Sequence, residues 1–147
     1  MAEKPYLAAA FLCERVLQEK DDVLSVVRIV DTLYVSVPEN LPPNENAAIQ
    51  ITLLLSFKKA SPGIEVEKHQ AVLRIHPPSG EPKDPIGTTD FFFKQDELAG
   101  SNLIINMGLG IKEFGLFSLD VFVDGELMTR IPFRLLEKQE EPPKTIH

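Results

Sequence analysis

Between residues 47 and 58 the apolar side chains of Ile49, Ile51, Leu53, Leu55 and Phe57 alternate with Gln50, Thr52, Leu54, Ser56 and Lys58. A period of two sends alternate side chains to opposite faces of an extended strand, whereas a helix repeats about every 3.6 residues. A strand that buries one face needs partners beside it and a second layer over it. Residues 116–136 supply a matching unit. Phe117, Leu119, Val121 and Val123 alternate with Leu116, Ser118, Asp120 and Phe122, and after Asp124-Gly125 the alternation resumes with Thr129, Ile131, Phe133 and Leu135. Asp-Gly between two alternating runs is a hairpin signal, because glycine accepts the positive φ that such turns require. Pro132 cannot donate to a ladder, so its strand is expected at an edge or with that position facing outward.

Residues 23–35 read as one strand, rich in β-branched side chains. Further strands are expected at 71–76, 89–94 and 102–107, separated by Pro-, Gly- and Asn-containing turns. Residues 6–19 carry two readings. Ala9, Leu12, Cys13 and Val16 share a helical face and the composition suits a helix, but the charged turn at 19–22 suits a hairpin with the following strand. One domain is expected over 1–136, with a mobile tail over 137–147 that holds Pro142-Pro143 and almost no apolar residues.

Three stretches carry a resemblance: 10–14 with 24–30, then 73–81 (Leu-Arg-Ile-His-Pro-Pro-Ser-Gly-Glu), then 114–133 with its Asp-Gly-Glu turn. Together they resemble a bacterial family of small β-sandwich proteins of unknown function. The chain departs from that pattern at Asp22, where a turn glycine is expected, and in having Pro-Ser-Gly for Pro-Asp-Gly. The resemblance implies a strand over 6–19 and brings no activity, cofactor or site with it.

Charge narrows the partners. Fifteen Lys and Arg against 22 Asp and Glu leave a net charge of −7 among 147 residues, which opposes nucleic acid and anionic membrane. No run approaches the roughly 18 apolar residues of a membrane span. The short apolar stretch at 6–13 ends with bulky Leu12 before Cys13, where a signal peptidase needs a small residue, so a soluble cytoplasmic protein is the expectation. With one cysteine, no internal disulfide is available.

Catalytic and metal chemistry find little support. His69 and His76 have opposite parity on one strand, so they cannot share a metal and are expected to face solvent. Cys13 lies in an apolar segment beside Glu14, which suits a structural thiol. Residues 108–115 lack the third glycine of a dinucleotide loop, Glu113 standing in its place, and read as a flexible loop. Asp84, Asp90, Asp96, Glu97, Asp120, Asp124 and Glu126 fall near strand ends, and with Asp21-Asp22 they keep a calcium site in view.

The remaining signal is apolar side chains on the wet face. Strict alternation turns Leu54, Leu116, Phe122 and Met128 outward, and Phe91-Phe92-Phe93 must send a ring to each face. The expected architecture is all-β: a single antiparallel β-sandwich of seven or eight strands, immunoglobulin-like or C2-like. Its core is expected to hold Phe11, Val27, Ile29, Ile51, Leu53, Leu55, Leu73, Ile75, Phe117, Leu119, Val121, Ile131 and Phe133. The expected function is that of a non-enzymatic protein-interaction module without cofactors. It meets a protein partner or a second copy through Leu54, Phe92, Leu116, Phe122 and Met128. The alternative is a calcium- or small-ligand-binding module that uses loops at one end of the sandwich.

Overall fold

The alternating segment at 47–58 becomes the strand around which the first sheet is built. The computed structural model describes residues 4–37, 40–42, 47–60, 67–80, 85–93 and 100–138. In chain order these form β1 (Tyr6–Gln18), β2 (Leu24–Ile29), β3 (Thr32–Val35), β4 (Ala47–Lys58), β5 (Glu67–His76), β6 (Gly87–Phe93), β7 (Gly100–Ile111), β8 (Gly115–Val123) and β9 (Glu126–Glu137). Four strands in the order β2-β1-β4-β7 make one sheet and five in the order β3-β9-β8-β5-β6 make the other. Among the described residues there is no helix long and apolar enough to cross a membrane.

The described residues therefore form nine strands, not seven or eight. The extra one arises because the β-branched run at 23–35 is not a single strand. It breaks after Ile29, so that β2 pairs with β1 in the first sheet and β3 crosses to the second. There β3 runs parallel to β9, so the second sheet is mixed and the expectation of pure antiparallel pairing is corrected. The same crossing accounts for Pro132. From Glu126 to Leu135 β9 has β8 on one side, but β3 flanks it only from Arg134 onward, so Pro132 precedes the stretch paired with β3.

The helical reading of residues 6–19 gives way to strand. Flanked by β2 on one side and β4 on the other, the segment gains two ladders, which outweigh a weak local preference for helix. The 108–115 stretch is likewise mostly strand rather than loop, since β7 continues to Ile111. At the other end of the chain, β9 extends through Glu137 and Lys138 N–H donates to Val35 O, so the sheet reaches past the expected boundary at 136. The rest of the expected tail lies outside the described residues.

Between the sheets, Leu53, Leu55 and Phe57 of β4 meet Leu73, Leu119 and Phe133 of the second sheet in one buried cluster. Phe57 stacks on Phe91 with centroids 4.5 Å apart, joining the layers directly. Each such side chain contributes about 1.5–3 kcal/mol by leaving water. Phe117 and Ile131 are only partly buried against this core. Three expected core residues are not in it. Phe11, Val27 and Ile29 lie on the outer face of the first sheet, and Ile29 is 57% exposed. Leu12, Ala10 and Val30 point inward in their place. Apolar residues stand at both parities in β1 and β2, so alternation selects no face there.

The β8–β9 turn matches its sequence signal. Asp124 and Gly125 have φ of 50° and 83°, the pair of positive values that a type I′ hairpin requires. A Cβ on Gly125 would meet nothing within 4 Å, so Gly125→Ala carries backbone strain alone. It should cost about 1–2 kcal/mol by equilibrium unfolding. Gly87→Ala, equally uncrowded and without a positive φ, should stay near wild type.

Candidate functional site

The outer face of the five-stranded sheet gathers charged and apolar side chains from all five of its strands. Since Leu119, Val121 and Val123 of β8 enter the core, Leu116, Ser118, Asp120 and Phe122 turn outward. Register then sets their neighbours. Asp120 lies opposite Arg74 of β5 and Arg130 of β9, and Ser118 lies opposite His76 and Pro132. Phe122 lies between Val72 and Leu127, and Leu116 beside Arg134.

Asp120 is 1% exposed although it stands on an outer face. A carboxylate removed from water needs charged or hydrogen-bonding partners, and three provide them. Ser118 Oγ donates to Oδ1 at 3.2 Å and Arg130 Nε lies 3.3 Å from the same oxygen. His76 Nε2 is 2.8 Å from Oδ2, a close polar contact off the hydrogen-bond line, and Oδ2 has no aligned donor. Arg74 is the odd member. Its guanidinium lies over the Phe122 ring, Cζ 5.8 Å from the centroid, and its buried Nε has no hydrogen-bond partner. Among the described residues Arg74 has no carboxylate partner, and neither has exposed Arg134.

Serine, histidine and aspartate thus meet on one face. The hydroxyl is bonded to the carboxylate rather than to the imidazole, so the geometry is not that of a nucleophile held by a base. Arginines and aromatic rings bordered by apolar side chains match instead the composition of protein interfaces. Around the charged rows stand Leu116, Leu127, Tyr34 and Phe92, each between 46% and 67% exposed.

Of the five residues the sequence singles out, Phe92, Leu116 and Phe122 share this face. Leu54 does not. It lies on the outer face of the other sheet and is 6% exposed, because β1 and β7 flank it with Phe11 and Ile104 at its level. Met128 does not either. A register shift between Val121 and Phe122 makes it the extra residue of β9, so it packs against the core and Leu127 takes the outward position. Phe91 and Phe93 enter the core on either side of outward Phe92, as the triplet requires. The sequence reading missed Asp120, Arg74, Arg130 and His76 as a group. Shared parity with Leu116 and Phe122 was their only trace, and it acquires meaning once register is known.

The other candidate residues are occupied elsewhere. Cys13 is fully buried on the outer side of β1, where its Sγ lies 3.5 Å from Thr52 O, and burial pushes the thiol up from its ordinary value. His76 is outward as expected, but His69 is not solvent-facing: it is 2% exposed on the core side of β5. Its Nδ1 lies 2.6 Å from Asp124 Oδ2 and its Nε2 3.2 Å from Glu67 Oε2, with the ring against Phe91 and Phe93. Asp90 pairs with Lys68, Glu126 with Lys4, and Asp21 accepts from Val23 N–H. Asp84, Asp96 and Glu97 lie outside the described residues. Among those described, no three His, Cys, Asp or Glu side chains are arranged to hold a metal ion. An apolar cavity of about 340 Å³ lies between the sheets where β6 begins, lined by Leu73, Ile75 and Ile86 facing Ile105, Met107 and Leu109 of β7.

Asp124 gives a pH prediction. Burial acts to raise its carboxyl, but the His69 hydrogen bond, the Gln70 N–H and the charge of His69 outweigh that and hold it below its ordinary value. A depressed carboxylate contributes stability that is fully present above its unfolded pKa, about 3.9, and is lost as pH falls through the folded value. Asp124→Asn keeps a residue tolerant of positive φ. Equilibrium unfolding from about pH 2 to 6 should show a shallower acid loss for the variant than for wild type.

The sequence profile of the family described as "Family of unknown function (DUF6941)" matches residues 8–136. No curated protein matches the chain. Among solved structures, similarity is found to an immunoglobulin-like protein from Pseudomonas aeruginosa, at 11% identity and a TM-score of 0.33 over 91% of this chain and 98% of that one. It is also found to the alkylpurine DNA glycosylase AlkC of Pseudomonas fluorescens bound to DNA with an abasic-site analog. That match has 20% identity and a TM-score of 0.37, and covers 58% of this chain but only 25% of the glycosylase.

Proposed function

The chain belongs to the family of unknown function DUF6941, and from that premise we propose that it is a non-catalytic, immunoglobulin-like β-sandwich module that binds a partner protein through the outer face of its five-stranded sheet. What carries the reading is Arg74. Its guanidinium already lies over the Phe122 ring and has no carboxylate partner among the described residues. The neighbouring carboxylate, Asp120, is engaged by Arg130, His76 and Ser118. A partner carboxylate placed against Arg74 gains a charge-assisted hydrogen bond from a side chain that is already ordered. Leu116, Leu127 and Phe122 provide apolar contact around it. The partner is therefore a protein surface presenting an Asp or Glu among apolar side chains, and it meets three arginines on a chain whose overall charge is −7.

The test uses Arg74→Glu and Leu116→Ser, separately and together, in capture of partners from a lysate of the source organism. Ile29→Ser on the opposite outer face is the control, and circular dichroism verifies the fold. A central interface residue typically carries more than about 1.4 kcal/mol, a tenfold change in affinity. Each variant should therefore weaken partner retention at least about tenfold while the control retains it. A partner held equally by wild type and the double variant removes the proposal.

The cavity between the sheets supports a second reading, a site for a small apolar ligand. Its lining from Ile75, Ile86, Ile105 and Met107 offers dispersion contacts and no charged group, so a thermal-shift series of fatty acids and aromatic compounds probes it directly.

A further inference from the structure

Each sheet ends in strands whose outer row of N–H and C=O groups is unpaired, and natural sheets blunt such edges with short strands, charges, prolines or bulges. Three of the four edges here are blunted. β3 is only four residues long. β6 has seven and carries Asp90, paired to Lys68 of the neighbouring strand. β2 has six and carries Arg28, at a φ of 54° and paired to Glu14. The fourth edge is different. β7 is 12 residues long and contains neither a charge nor a proline. It pairs with β4 without a break from Gly100↔Lys58 to Ile111↔Ala47, and among the described residues nothing pairs its other side. One residue in four of the chain is charged, yet none of these is.

We propose that β7 pairs antiparallel with β7 of a second copy of the chain, joining two four-stranded sheets into one continuous sheet across a twofold axis. Copies that each carry −7 repel one another, and the contact that adds least to this repulsion is one with no charge on either side. An antiparallel edge contact is isologous, so a single strand is its own complement. The symmetry also restricts register. A twofold axis perpendicular to the sheet keeps outer faces together, so outward residues meet outward residues and the axis passes through a residue position. Ile104, 42% exposed, is the large apolar side chain on the outer side of β7. An axis at Ile104 sets it against its own copy and sets Asn102 against Asn106, where two amides can exchange hydrogen bonds. Gly100 then lies opposite Gly108, two positions without side chains of their own, over which the flexible ends of Lys58 and Gln50 of β4 lie.

Sedimentation equilibrium over a roughly hundredfold concentration range gives the first readout: wild type should reach twice the 16.4 kDa chain mass. Ile104→Lys places two like charges on the axis and should remain at 16.4 kDa with an unchanged far-UV spectrum. Engineered cysteines report register, because Cys13 is fully buried. Ile104→Cys should oxidise to a disulfide-linked dimer. Asn102→Cys and Asn106→Cys should not link when alone and should link when mixed. A wild type monomeric at every concentration, or a dimer that survives Ile104→Lys and gives no link at Ile104→Cys, overturns the proposal. The partner-binding face is on the other sheet, so Ile104→Lys should leave partner capture intact, and the two proposals fail separately.

Discussion

The inner face of β4 is the element on which the rest of the sandwich rests. Leu53, Leu55 and Phe57 are fully buried, and the stacked pair Phe57–Phe91 carries the contact from one layer to the other. Because β1 and β7 pair with β4 along most of its length, its outer side is also shielded. Leu54 and Thr52 are buried there, with Cys13 fully buried beside them. A doubly flanked central strand thus hides apolar residues on both faces, and outward parity in such a strand does not make a binding surface.

The second sheet has a different character. Its outer face holds a carboxylate almost entirely out of water, and the cost of that burial is offset by a histidine, an arginine and a hydroxyl around it. Arg74, directly opposite in the ladder, lies over a ring instead of closing the set. Natural sequences settle most such local conflicts, and those that persist mark functional positions. On the proposed reading, this guanidinium, which has no carboxylate among the described residues, is what a partner carboxylate completes. Exposed Leu116 and Leu127 then limit water around the new pair and raise the value of its charge.

Much of this was legible in the residues. Regular alternation gives β4, β5 and the β8–β9 hairpin, and Asp124-Gly125 gives the turn, because one parity is predominantly apolar while most polar residues fall on the other. β1 and β2 are apolar at both parities, so neither their faces nor the strand state of residues 6–19 follow from pattern alone. The crossing after Ile29 and the parallel pairing of β3 with β9 join residues about a hundred positions apart, and no local signal encodes them. At the candidate site, Phe92, Leu116 and Phe122 follow from parity. Met128 does not, because one extra residue in β9 reverses every assignment beyond it. Asp120, Arg74 and Arg130 come from three strands and become neighbours only through register.

The most direct measurement is site-specific photo-crosslinking. A photoreactive phenylalanine analogue is placed at Leu116 on the five-stranded sheet, or at Ile29 on the opposite outer face, each more than half exposed. The account predicts a partner adduct from position 116 and none from position 29. Adducts from position 29 alone, or from neither position under conditions where the partner is retained, would contradict it.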